Sequence, residues 1–175
     1  RARENGDAYI QGVKDDMNLD FYWPQMLSIG LGYKPASNLS FGISLKWSDW
    51  GHFDHSKMEF KRFSFLNTPF SQDSRDGYRF QIGGEYRPNE YIALRAGYLY
   101  DRYSIDSQWL SPALFDVSFH EARIGLGLKY KKLQIDTAFN YTFAETRRVH
   151  DSMVGYPGKY DGDAPIFAIE ISYHF

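Results

Sequence analysis

The 175-residue chain carries 20 Lys plus Arg against 22 Asp plus Glu, a net charge of −2, which excludes a nucleic-acid binder working through a strong phosphate-neutralising field. It has no Cys, so disulfides, thiolate catalysis and Cys-ligated metals are excluded. A mean hydropathy of −0.52 and the lack of any apolar run of about 18 residues exclude a membrane-spanning helix. Against that polar background stand 14 Tyr, 14 Phe and 4 Trp.

The N-terminal residues Arg1-Ala2-Arg3-Glu4-Asn5 contain no apolar stretch of the kind that opens a secretory signal. The chain therefore reads as a processed form or a piece of something longer. Residues 7–12 alternate poorly and are a weak candidate strand, with residues 13–24 as its loop.

From residue 27 onward the pattern changes. Residues 27–33, 39–47, 78–86, 92–100, 124–130, 133–143 and 167–175 alternate apolar and polar side chains, a period of 2 that a helix cannot use. The apolar face gathers 15 aromatic residues, from Tyr33, Phe41 and Trp47 through Tyr78, Phe80, Tyr98 and Tyr100 to Phe139, Phe167 and Phe175. The opposite face carries no aromatic residue in these segments. It holds Lys34, Lys46, Arg79, Glu85, Arg95, Asp101, Arg123, Asp136 and Glu170, together with seven of the 15 glycines.

A soluble sandwich would have to crowd those rings into one small interior. An all-β transmembrane antiparallel up-and-down barrel, apolar face to lipid and polar face to a lumen, accounts for both faces. Eleven residues at ~3.3 Å span about 36 Å, and a tilt of about 45° leaves ~25 Å along the normal, the height of an outer-membrane apolar band. Backbone groups in lipid then require a closed sheet. The chain supplies seven to eight strands.

Turns and loops set the orientation. Tyr33-Lys34-Pro35, Tyr86-Arg87-Pro88 and Tyr130-Lys131-Lys132 each lead within a few residues into the next alternating segment. They read as periplasmic turns with a girdle of Tyr33, Tyr86, Tyr130, Tyr173 and Phe175. Residues 53–77, 101–122 and 147–164 are long polar connections and read as extracellular loops. If the Pro88 turn pairs Tyr86 with Ile92, Arg95 falls opposite Gly83 and diagonal to Glu85.

Residues 168–175, Ala-Ile-Glu-Ile-Ser-Tyr-His-Phe, resemble the C-terminal assembly signal of outer-membrane barrels. Trp47-Ser48-Asp49-Trp50 with Phe53-Asp54, and Leu94-Arg95-Ala96-Gly97-Tyr98-Leu99-Tyr100-Asp101, are similar to the C-terminal half of the FadL-like family. That resemblance implies the bacterial outer membrane and passive transport of hydrophobic small molecules, long-chain fatty acids or hydrocarbons. It also implies a barrel of about fourteen strands whose N-terminal hatch domain is absent from residues 1–175, leaving one barrel segment. Outer-membrane lipid, lipopolysaccharide and the barrel-assembly machinery are the partners it implies. The alternative is a complete small eight-stranded barrel with a structural or adhesion role through its loops.

The lumen cations Lys46, Arg79, Arg95 and Arg123 are candidates to attract a carboxylate, for which Arg offers a bidentate fork. Equally, they can pair with Glu85, Asp101, Asp136 and Glu170. The loop residues Phe53, Phe60, Phe63, Phe65, Phe70, Trp109, Leu110 and Phe115 either form an apolar capture patch or pack the loops over the barrel mouth. Asp49, His52, Asp54 and His55 match no metal-ligand spacing, and adjacency of His150, Asp151 and Ser152 does not make a triad. No catalytic group, metal or cofactor is expected.

Overall fold

The computed structural model describes residues 2–10, 13–55, 57–64, 68–69 and 73–173. Its strands, in chain order, are β1 (Ala2–Ile10), β2 (Val13–Phe21), β3 (Met26–Ala36), β4 (Leu39–Ser48), β5 (Lys57–Phe60), β6 (Thr68–Pro69) and β7 (Gly77–Tyr86). They continue as β8 (Ile92–Asp101), β9 (Phe119–Tyr130), β10 (Leu133–Ala144), β11 (Arg147–Val149), β12 (Gly158–Tyr160) and β13 (Asp163–Tyr173). Seven of them form one antiparallel sheet in the order β13-β10-β9-β8-β7-β4-β3.

That sheet is an up-and-down meander, and its register gathers most of the large apolar residues on one side. One cross-strand row runs Leu31, Ile43, Ile82, Tyr98 and Ala122; another runs Leu45, Phe80, Tyr100, His120 and Phe143. No second layer covers this face among the described residues, and Leu31 is 76% exposed and Phe167 67%. A soluble sandwich would bury such residues; a barrel wall presents them to lipid.

β3 and β13 each have one neighbour among the described residues. The seven strands are therefore an open sheet and not a self-closed eight-stranded barrel. The expected eighth wall strand does not form there. β1 and β2 instead make a hairpin that joins β5 and β6 in a separate sheet of order β1-β2-β5-β6. Residues 13–21, expected as loop, are a strand. Lys14, Asp16, Asn18 and Asp20 fill one side of β2 and Asp15 interrupts the apolar run of Met17 and Leu19 on the other, and pairing with β5 joins the hairpin to the loop between β4 and β7.

The β7–β8 register also differs from expectation. Arg95 lies directly opposite Glu85, and Gly83 opposite Gly97. The Asn89 side chain accepts the N–H groups of Tyr91 (2.9 Å) and Ile92 (3.0 Å), which lengthens the turn and shifts the pairing by two residues. β9 begins at Phe119, earlier than its alternation suggested, and places that ring on the otherwise ring-free lumen side.

The lumen side is shallow where glycines meet. Gly32, Gly42, Gly83 and Gly97 form a continuous cross-strand row over β3, β4, β7 and β8. The compact apolar cluster lies outside the sheet, where Leu110, Val117, Val149 and Tyr160 pack two loops together.

Candidate functional site

At the long-loop end of the sheet, a cavity of about 500 Å³ opens on the lumen side. Its floor is the upper ends of β3, β4, β7 and β8, which contribute Met26, Lys46, Arg79 and Asp101. Trp50 enters from the 3-10 turn Trp50–His55 that follows β4. Phe119, at the start of β9, closes one side, and Ile105, Leu114 and Val117 of the β8–β9 loop form the roof.

The roof is held by hydrogen bonds that its sequence cannot announce. Asp116 accepts the backbone N–H groups of Ser104 and Ile105, each at 2.7 Å, and Ser118 accepts that of Tyr103 at 3.2 Å. Arg147, on β11, donates to the carbonyls of Ile105 (3.0 Å) and Asp116 (2.7 Å) and to the Ser107 hydroxyl (2.6 Å). Tyr160 on β12 donates to the Tyr156 carbonyl at 2.7 Å while its ring joins the buried cluster. Irregular loops become ordered when their backbone groups find such partners.

Charge in the cavity is unevenly matched. Arg79 pairs with Asp101, its Nε at 2.8 Å. Lys46 sits directly across from Arg79 and has no ion-pair partner among the described residues. The lining as a whole holds Lys46, Arg79 and Arg102 against Asp101 and Asp116, so it favours a negatively charged group beside an apolar body.

The other two candidate cations lie further down the wall and are engaged. Arg95 bridges Glu85 (2.7 Å) on β7 and Asp136 (2.6 Å) on β10. It reaches Asp136 by crossing β9 at Gly125 and Gly127, where a Cβ would meet Arg95 atoms at 3.4 and 3.2 Å. Arg123 pairs with Glu121 on its own strand. Both arginines border a second, open hollow of about 620 Å³ with Asp136, Asn140 and Glu170. Glu170 itself accepts the Ser172 hydroxyl at 3.1 Å.

The loop aromatics divide. Phe60 pairs with Met17 across β5 and β2, and the Phe63 N–H donates to Asp15 at 2.8 Å, so both belong to the outer hairpin sheet. Trp109 reaches Asp73 with its indole N–H at 3.5 Å, and Phe115 leans on Tyr160 with ring centroids 6.1 Å apart. None of these four lines the cavity, and Leu110 is fully buried among the loops. Phe65, Phe70 and Phe175 lie outside the described residues. Tyr33, Tyr86, Tyr130 and Tyr173 stand exposed at the short-turn end.

His52 Nδ1 lies 2.7 Å from Asp49, and no cluster of three metal-ligating side chains occurs among the described residues. Ser152 accepts the Tyr156 N–H at 2.9 Å. The residues that sequence reasoning missed are the roof, Phe119 and Trp50. For Phe119 a signal existed, because Phe119, Glu121 and Arg123 continue the lumen alternation of β9 backwards.

The sequence model of a family described as outer membrane protein transport protein (OMPP1/FadL/TodX) matches residues 2–175. Among solved structures, the chain is similar to a Pseudomonas aeruginosa FadL homologue, with 22% identity and a TM-score of 0.67 over 91% of this chain and 38% of that one. It is also similar to the Pseudomonas putida toluene transporter TodX, at 21% identity and a TM-score of 0.55 over 91% of this chain and 36% of that one. The Ralstonia pickettii toluene transporter TbuX gives 19% and 0.51, over 93% and 37%. The chain thus spans under two fifths of the length of these structures. Among curated proteins none matches it in sequence.

Proposed function

The chain belongs to the outer membrane protein transport protein (OMPP1/FadL/TodX) family, and from that membership we propose that it forms part of the wall and mouth of a channel for hydrophobic small molecules. It is a segment of an outer-membrane β-barrel. In this reading β3 and β13 pair with further strands of a wider barrel, because unpaired edges are not tolerated in lipid. Lipid and lipopolysaccharide surround the exposed apolar face, and the barrel-assembly machinery engages β13.

The loop-roofed cavity is where a solute first leaves water, and the glycine row below it leaves room for passage along the wall. Binding and diffusion suffice; no covalent step is involved. Relatives described as toluene transporters carry a neutral hydrocarbon. Here the observation that carries the finer reading is Lys46, which lines the cavity with Ile105, Leu114, Val117 and Phe119 and has no ion-pair partner among the described residues. It favours amphiphiles with a carboxylate head, such as long-chain fatty acids, over neutral hydrocarbons.

The test is binding of oleate and of toluene to the full-length protein, with and without Lys46→Met. Oleate affinity is expected to fall on the order of tenfold, about 1.4 kcal/mol for one charge-assisted contact, with toluene affinity unchanged. Equal effects on both ligands, or none on oleate, would remove the carboxylate assignment.

A further inference from the structure

The two ends of the sheet differ in charge, which the net value of −2 conceals. The long-loop segments 49–77, 101–119 and 145–163 hold 12 acidic and 8 basic residues. The short-turn segments 33–39, 85–92 and 129–133 hold five basic residues, Lys34, Arg87, Lys129, Lys131 and Lys132, against Glu85 and Glu90.

Both acids at the basic end are already engaged. Glu85 accepts from Arg87 and Arg95, each at 2.7 Å, and Glu90 is hydrogen-bonded to Tyr91. Lys34, Lys129, Lys131 and Lys132 are exposed and have no ion-pair partner among the described residues; Lys34 and Lys129 continue the lumen side of β3 and β9, whereas Lys131 and Lys132 form the turn itself and reach past the wall.

These cations sit on a fixed frame. The Arg87 N–H donates to the Asn38 carbonyl at 2.7 Å and the Lys129 N–H to the Tyr91 carbonyl at 2.8 Å, tying neighbouring turns together. Tyrosines flank them along the rim, Tyr33 and Tyr130 each 68% exposed, at the depth where phenol rings meet lipid headgroups. The Lys131 amine lies 5.3 Å from the centre of the Tyr130 ring.

The backbone of the β9–β10 turn separates this rim from incidental surface charge. Lys131 opens the two-residue turn between β9 and β10 with φ of +53°. Glycine takes that conformation without steric cost and is the usual solution in such hairpins. A lysine stands there at the expense of backbone strain, beside a second lysine.

We propose that the short-turn rim is a binding belt for anionic phospholipid headgroups of the inner leaflet. Phosphate oxygens would lie among the lysine ammonium groups, with the tyrosine rings at the level of the glycerol backbone. A lysine rim whose carboxylates, among the described residues, are already engaged attracts an anionic headgroup over a zwitterionic one. The belt is separate from the solute cavity at the opposite end of the sheet, so it stands independently of the substrate assignment.

The experiment takes the full-length protein in nanodiscs of equimolar phosphatidylglycerol and phosphatidylcholine and counts retained lipids by native mass spectrometry. Phosphatidylglycerol is expected to be retained about fivefold over phosphatidylcholine, with the ratio falling toward one when Lys131 and Lys132 are both changed to Gln. A second variant, Lys131→Gly, relieves the turn and should keep or raise thermal stability while lowering the ratio. A ratio near one for the unsubstituted protein overturns the proposal. So does an unchanged ratio in the double variant, or a Lys131→Gly protein that loses stability and keeps its lipid preference.

Discussion

The Arg147 guanidinium lies 3.7 Å from the centre of the Tyr103 ring, joining the β10–β13 loop to the β8–β9 loop that roofs the cavity. Only 8% of Arg147 is exposed. Burial pulls its pKa down, while the neighbouring Tyr103, Asp116 and Asp106 favour its charged form. Its planar fork serves three acceptors at once, a geometry that a lysine ammonium cannot reproduce.

Replacing Arg147 by Lys or Ala should therefore loosen the roof without unfolding the wall. Hydrogen bonds from a charged donor contribute about 1.5–3 kcal/mol, so amides of residues 103–118 should exchange roughly ten- to a hundredfold faster. Amides of β7 to β10 should be unaffected. Hydrogen exchange that rises equally in strands and loops would show that Arg147 supports the whole sheet instead.

Gly127 makes room for an ion pair. A Cβ there would lie 2.7 Å from the Asp136 carboxylate and 3.2 Å from the Arg95 guanidinium. Gly127→Ala should cost about 1–3 kcal/mol by displacing that pair, read as a lower urea midpoint for the barrel folded into lipid vesicles. In an Asp136→Ala background the same substitution should cost less, with a coupling of about 1 kcal/mol or more. Additive penalties would mean that the glycine serves the backbone alone.

Asp15 gives the outer hairpin sheet an acid limit. Burial works to raise its pKa, but the N–H groups of Phe63, Arg62 and Asp16 and the charge of Arg62 outweigh that and hold it below the ordinary 3.8. A depressed carboxyl stabilises the fold above its unfolded pKa and loses that contribution as pH falls through the folded value. Docking of residues 61–63 on β2 should thus be constant from neutrality to about pH 4 and weaken below it. Limited proteolysis of this segment against pH measures the effect, and Asp15→Asn should flatten the profile.

The apolar and polar sides of the wall were legible in the sequence because side chains alternate strictly along a strand. Leu31, Ile43, Ile82 and Tyr98 share one side in the structure as their spacing requires. The pairing of Arg95 was not legible. Shifting a strand by two residues leaves every side chain on the same face, so alternation cannot distinguish Gly83 from Glu85 as its neighbour. Asn89 decides, by closing a longer turn. The second strand of the β1–β2 hairpin was read as loop because Asp15 breaks its alternation, and it is held by contacts such as Asp15 with residues 62 and 63.

What the sequence determined by itself is the kind of surface each strand presents, and with it a membrane wall of alternating apolar and polar faces ending in tyrosines. That information is local, because a period of two is written residue by residue. Which cations remain available was decided only by the tertiary structure. Lys46, Arg79, Arg95 and Arg123 look alike along the chain, yet Arg79 and Arg95 have carboxylates brought to them by neighbouring strands, Arg123 turns to Glu121 on its own strand, and Lys46 has none among the described residues. Coulomb attraction depends on distances across strands and loops, and those distances exist only once the chain has folded.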